Sequence, residues 1–162
     1  MPWEKITDII LISAIAVLGV FALLGLFEWI SRKSLKKVDH EITGFILPSL
    51  FMAATYVVFD KFLVLNTRPN GSGEPSFPST HTMVVATIFL CTIFALPKYV
   101  KNKPLRIILD ILMLALIGLV SAGRVLSNMH WLSDVIGGLV FALFFATIYY
   151  PIIKKHHQKE SK

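Results

Sequence analysis

Five long apolar stretches alternate with short polar ones along the chain, at about 6–30, 43–65, 80–97, 105–123 and 131–153. Within each stretch the apolar residues run all round a helix, with no polar face recurring at the 3.6-residue period of an amphipathic one. The two shortest apolar cores, Met83–Leu96 and Ile107–Val120, the second interrupted by Asp110 near one end, fall below the ~17–25 residues that span a bilayer, and their flanks extend them. The pattern predicts an all-α fold: a polytopic integral membrane bundle of about five transmembrane helices, forming a single domain over residues 1–162. A soluble five-helix bundle would need a polar face on each helix, and none is seen.

Composition agrees, with 55% hydrophobic and 16% charged residues. The distribution of charge says more than its total. Arg32, Lys33, Lys36 and Lys37 follow the first stretch, Lys98, Lys101, Lys103 and Arg106 follow the third, and Lys154, Lys155, Lys159 and Lys162 follow the fifth. These twelve of the sixteen basic residues fall on one side, and positive loops stay cytoplasmic. The C-terminus is therefore expected in the cytoplasm, and the N-terminus and the loops 66–80 and 123–130 outside. His40, His156 and His157 fall on the cytoplasmic side. Trp3 and Trp131 mark the outer boundary, and Trp29, Tyr99, Tyr149 and Tyr150 the inner one. The net charge of +6 is thus a topology signal for a cell-membrane protein and calls for no nucleic-acid partner. Cys91, alone and mid-span, reads as a small buried hydrophobe. The N-terminal run lacks a basic region before its apolar core, so no cleavable signal peptide is expected. Arg106 and Asp110, four apart, are expected to pair.

Only Lys5, Lys61, Arg68 and Arg124 break the inside rule. The last three border loops that also hold His81 and His130. In "KFLVLNTRPNGSGEPSFPSTH" a helical continuation of the second span would set Lys61 and Arg68 two turns apart on one face. Pro69 would end it, and Asn70-Gly71 marks a turn. "FPSTHT" reads as a helix start with Ser79 as N-cap and Thr80 and His81 in the first turn, where free N–H groups form an anion site. In "GRVLSNMHWLSD" His130 opens the last span, with Asp134 one turn deeper on the same face. A carboxylate there can take the proton of one imidazole nitrogen and leave the other free to attack. Arg124 ends the fourth span and can offer paired donors to an oxyanion. His81, with no carboxylate partner evident, suits a general acid. Two histidines and an aspartate could hold zinc, but three neighbouring cations oppose a dication, so no metal or other cofactor is expected.

These three segments resemble the signature of the type 2 phosphatidic acid phosphatase superfamily, K-x6-R-P, P-S-G-H and S-R-x5-H-x3-D, in order and in internal spacing over residues 61–134. The resemblance implies catalytic roles for His130 as nucleophile, His81 as acid and then base, and Asp134 as support for His130. It implies that Lys61, Arg68, Ser79, Thr80 and Arg124 hold the phosphate. Thr80 stands where the family commonly has Gly, and Gly123 where it has Ser. Five spans are counted where six are usual. The expected activity is metal-independent hydrolysis of a lipid phosphate or diphosphate at the outer membrane face through a phosphohistidine. Undecaprenyl diphosphate, phosphatidylglycerophosphate, phosphatidic acid and a lipid A phosphate are the candidates, and the short 66–80 loop favours a permissive entrance. The expected partners are that lipid substrate and the bilayer. A lipid phosphotransferase using the same phosphohistidine, or a non-catalytic lipid-phosphate binding or transport protein, are the alternatives.

Overall fold

The computed structural model describes residues 2–160, with side chains through Lys154. The side chains of Lys155, His156, His157 and Lys159, and all of Lys162, lie outside the described residues. Among those described, the secondary structure is helical. Helix α1 is Pro2–Arg32, α2 His40–Thr43, α3 Ile46–Val57, α4 Thr80–Tyr99, α5 Lys103–Leu126 and α6 Leu132–Glu160. Among the described residues, five helices are long and apolar enough to cross a membrane: Pro2–Arg32, His40–Phe62, Thr80–Tyr99, Lys103–Leu126 and Leu132–Lys154. The protein is a multi-pass membrane protein with the number of spans the sequence predicts.

Helix α4 is the axis of the bundle; α6, α5 and α1 all pack on it. Lipid tails are as apolar as leucine, so burying apolar surface does not by itself join helices in a bilayer; close approach does. Small residues make that approach possible. Ala14, Ala86, Cys91, Ala95, Ala142 and Ala146 are all buried between helices. Large apolar side chains such as Ile9, Leu23, Phe27, Ile108 and Phe144 point outward instead. The buried threonines of α4 are satisfied within the helix, Thr87 donating to the Met83 carbonyl and Thr92 to that of Ile88, each at 2.7 Å. Helix α5 starts where Asn102 Oδ1 accepts the Leu105 N–H at 3.0 Å, with Pro104 in the first turn.

At the end of the bundle rich in lysine and arginine, a charge cluster closes the structure. Lys98 Nζ donates to Glu41 (2.7 Å) and pairs with Asp39 (3.0 Å), and the Tyr149 hydroxyl donates to the Glu41 carbonyl (2.8 Å). Burial opposes ionisation of Asp39, but Lys98 and Arg32 prevail and hold its carboxyl below the ordinary value. An apolar cleft of about 500 Å3 lies at this end between α1 and α3, lined by Leu18, Phe21, Trp29 and Ile46 among others. None of the candidate catalytic residues borders it.

Two expectations need correction. The second span ends at Phe62, not 65: a π-helical turn over Val58–Phe62 closes on Leu63, whose φ of −126° and ψ of 67° leave the helix. Leu63, Val64 and Leu65 are exposed beyond it. Among the described residues, Arg106 and Asp110, expected to pair, form no ion pair or side-chain hydrogen bond with each other, and Asp110 Oδ1 is buried without a hydrogen-bond partner.

The α4–α6 seam depends on Gly138. A Cβ there would lie 2.8 Å from the Ser79 carbonyl and 3.2 Å from the Met83 nitrogen, both backbone atoms. Gly138→Val should therefore destabilise the purified protein by about 1–3 kcal/mol, read as a lower thermal midpoint in detergent. Gly19→Ala, with nothing within 4 Å of the new methyl, should leave the midpoint unchanged or raise it.

Candidate functional site

The chain turns sharply between α5 and α6, and the turn sets up the site. Asn128 takes a left-handed conformation (φ 56°), which asparagine tolerates better than most residues. The N–H groups of Met129 and His130 then both donate to the Arg124 carbonyl at 3.2 Å, and Ser127 Oγ donates to the same oxygen at 3.2 Å. The backbone of the candidate nucleophile is thereby fastened to the residue carrying the candidate oxyanion donor. Helix α6 follows, its first turn closed by Asp134 Oδ2 accepting the Trp131 N–H at 2.9 Å. An acid at this position also suits the positive end of the helix dipole.

The segment 63–79 crosses over this turn. A bridge pairs Thr67 with Pro75, and Arg68 N–H donates to the Glu74 carbonyl at 3.0 Å. Gly71 and Gly73, with φ of 77° and 74°, make the reversal between them. Arg68 therefore reaches the site from an extended, self-paired loop and not from a continued helix. Three contacts pin the loop to the start of α6: Trp131 Nε1 donates to the Thr67 carbonyl (2.9 Å), Ser79 N–H donates to the Asp134 carbonyl (2.9 Å), and His130 Nδ1 donates to the Ser76 carbonyl (2.8 Å).

That last bond is the main departure from the sequence reading. Asp134 was expected to accept the His130 proton directly. Its Oδ2 is 3.8 Å from Nδ1, and Ser76 stands between them. The Ser76 hydroxyl donates to Asp134 Oδ2 and lies 3.3 Å from His130 Nδ1. The reason is local: Asp134 is already engaged by its own helix start, so the loop supplies the acceptor. A carbonyl can only accept, so Nδ1 carries the hydrogen and Nε2 is left with its lone pair. Burial first, then the nearby charge of Arg124 and Arg68, drive the His130 pKa down to about 4, against the Ser76 bond and the Asp134 charge. The imidazole is neutral at physiological pH.

His81 departs likewise. It was read as having no carboxylate partner, yet its Nε2 donates to Asp8 Oδ1 at 2.9 Å. Asp8 comes from the first turns of α1 and also lies 3.8 Å from Arg124 Nη1. Arg124 is 2% exposed, its Nη1 donates to Thr7 Oγ1 at a long 3.4 Å, and its Nε has no partner. Arg68 pairs with Glu74 at 2.8 Å and its buried Nε is likewise unpartnered. Two guanidinium groups thus hold unspent donors beside His130, where both charges are felt. Buried donors of this kind are rare unless a ligand takes them.

The remaining predicted residues fall into place differently. Ser79 is the N-cap of α4 as expected, but its hydroxyl, fully buried, pairs with Thr82 Oγ1 at 3.1 Å and makes no cap bond. It leaves the first N–H groups of α4 uncapped. Thr80 borders a small hollow with Tyr56, Phe59, Asp60 and Phe77. Lys61 is not drawn into the cluster: its side chain is 68% exposed and pairs with Asp60 at 2.7 Å. The structure thus brings together His130, Asp134, His81, Arg68 and Arg124, adds Ser76 and Asp8, and leaves Lys61 at the margin. Ser76 carries no spacing signal. Asp8 does carry one, being an acid just inside an apolar run.

The fold matches that of a solved protein, described as the first transmembrane PAP2 type phosphatidylglycerolphosphate phosphatase from Bacillus subtilis, with a TM-score of 0.66. The match covers 98% of this chain and 79% of that one at 20% identity, which establishes likeness of fold. No curated protein matches the chain closely enough to count as a relative. The sequence profile of the PAP2 superfamily matches residues 39–158, from α2 to the end of α6. The chain belongs to the PAP2 superfamily, and is an enzyme of the phosphatase class.

Proposed function

We propose that the chain is a metal-independent lipid phosphatase acting at the outer face of the membrane through a phosphohistidine on His130. The observation that carries this reading is the state of that imidazole: neutral, with Nδ1–H committed to the Ser76 carbonyl and Nε2 unprotonated, beside two arginines with open donors. In the first step Nε2 attacks phosphorus in line with the leaving oxygen, the P–O bond breaks, and His81 protonates the departing alkoxide or phosphate. In the second, water displaces the imidazole, His81 takes its proton, and inorganic phosphate leaves. Arg68, Arg124 and the first N–H groups of α4, at Thr80 and His81, hold the equatorial oxygens, supplying the charge compensation that phosphoryl transfer needs. Asp134 steadies Ser76 and the imidazolium that forms on phosphorylation. Ser79 shapes the helix start, and Lys61, held by Asp60, borders the approach to the site. Among the described residues, Arg32, Lys33, Lys36, Lys37, Lys98, Lys101, Lys103, Arg106 and Lys154 at the opposite end support a cytoplasmic C-terminus and an extracytoplasmic site. A lipid phosphate monoester or diphosphate fits equally, and the substrate of the Bacillus subtilis protein, phosphatidylglycerolphosphate, is one candidate.

His130→Ala should reduce turnover of a lipid phosphate roughly 10⁴-fold or more, while the purified variant still binds the lipid in vesicles. Retained turnover would show that His130 is not the nucleophile, whereas lipid binding without turnover in the parent protein would mark a non-catalytic carrier. Free phosphate released in water without an added acceptor marks a hydrolase; release that requires a lipid alcohol marks a transferase.

The pH dependence has a definite sign. The limb of kcat/KM that belongs to protonation of free His130 should lie near 4, not near the ordinary 6.5. Between those values the unfolded chain binds a proton that the folded one refuses. Stability should therefore fall as pH drops from 6.5 to about 4 and level off below. Thermal midpoints across pH 3–8, compared with those of His130→Ala, read this contribution.

A further inference from the structure

We propose that Asp8 is a positioning residue that holds His81 as the proton donor to the leaving oxygen. The inference rests on the reading of His81 as the general acid, and adds a residue from α1, a helix outside the segment that matches the family profile.

The argument is one of charge. His81 is faced by Asp8 from α1, by Arg124 from α5 and by Arg68 from the loop. Glu4, one turn before Asp8, acts on Arg124. The start of α6 contributes the neutral His130 and the carboxylate of Asp134, which is turned to Ser76 and Trp131. A general acid must hold its proton until the leaving oxygen needs it, and two guanidinium groups work against a third cation between them. Asp8 is the carboxylate in contact, at 2.9 Å from Nε2. With Nε2–H given to Asp8, the transferable proton sits on Nδ1. It passes to the leaving oxygen as the P–O bond breaks, and His81 becomes neutral with Asp8 still accepting from Nε2–H. In the second step Nδ1 takes a proton from water, restoring the starting state.

The chain is shaped to bring Asp8 there. Thr7, fully buried, lies against α5 at Gly123, where a Cβ would come within 2.6 Å of Thr7 Cγ2 and 3.6 Å of the Trp3 ring. The Thr7 hydroxyl accepts from Arg124. Glycine at 123, where the family signature carries serine, leaves room for α1, and threonine from α1 puts a hydroxyl back beside the arginine. This seating places the next residue, Asp8, between Arg124 and His81.

The test compares Asp8→Asn and Asp8→Glu with the parent, in full-length protein reconstituted in vesicles, on an alkyl lipid monophosphate and on a lipid diphosphate. Asp8→Asn should lower kcat on the monophosphate about 10- to 100-fold, with KM little changed, because the poor alkoxide needs the acid. The diphosphate should lose less than about threefold. The alkaline limb of the pH profile should move to lower pH by about one unit, and Asp8→Glu should recover part of both effects. Equal losses on the two substrates, or an unmoved limb, would overturn the proposal, as would a lower KM with kcat intact, the mark of a carboxylate that merely occupies the phosphate's seat. His130→Ala is run alongside. If it abolishes turnover while Asp8→Asn leaves the leaving-group dependence unaltered, this inference alone fails. If it retains turnover, the phosphohistidine reading fails and this inference with it.

Discussion

The site depends on the joining of the 63–79 loop to the first turn of α6 through Ser76. One residue serves two partners: its carbonyl takes the hydrogen of His130 Nδ1, and its hydroxyl gives one to Asp134. Either bond alone would leave the imidazole free to rotate or the carboxylate buried and half satisfied, and a buried charge without partners is costly. Together they fix the tautomer and the ring plane, and add to the Trp131–Thr67 bond in fixing the position of the loop. Arg68 is carried on that loop, so the same contact that orients the imidazole also delivers a cation to it. The histidine–aspartate relation read from the sequence thus persists, with a serine inserted between the two groups.

The electrostatics of the cluster are unbalanced by design of its surroundings. Arg124 is almost wholly buried, yet its contacts with Thr7 and Asp8 are long and one of its nitrogens is unpaired. At the opposite end, Lys98, Asp39, Glu41 and Arg32 compensate one another at ordinary hydrogen-bonding distances. The two ends illustrate two uses of charge in one bundle. One is neutralised and holds α1 and α2 against α4 and α6. The other keeps donors in reserve at the expense of local stability, as binding sites for anions do.

Most of the architecture was legible because a bilayer leaves few options. A backbone in hydrocarbon must satisfy itself, so long apolar runs become helices, and five such runs became five spanning helices. Span ends were less legible: Leu63 to Leu65 are apolar but lie beyond the π-turn, and composition does not record where a helix unwinds. The clustering of His81, His130, Arg68, Arg124 and Asp134 was legible because each is an ionisable group at the edge of an apolar run. Asp8 has the same character, but nothing in its spacing linked it to a site 73 residues away. Ser76 was invisible for a different reason. Its main contribution is a backbone oxygen, which any residue offers, so only the path of the loop singles it out.

Every side chain in the cluster lies within about two turns of a helix end or on the loop between two of them. In a bilayer that is the level of the ester and phosphate groups, not of the tails. A lipid whose head reaches this level keeps its chains where they already are. Lifting each methylene into water would cost about 0.8 kcal/mol, a sum that grows with chain length. An enzyme with its site at this depth is spared that extraction, and a short-chain or water-soluble ester gains nothing from the arrangement. Discrimination between membrane-borne and dissolved phosphates can thus arise from altitude alone, without a single contact to the hydrocarbon chain.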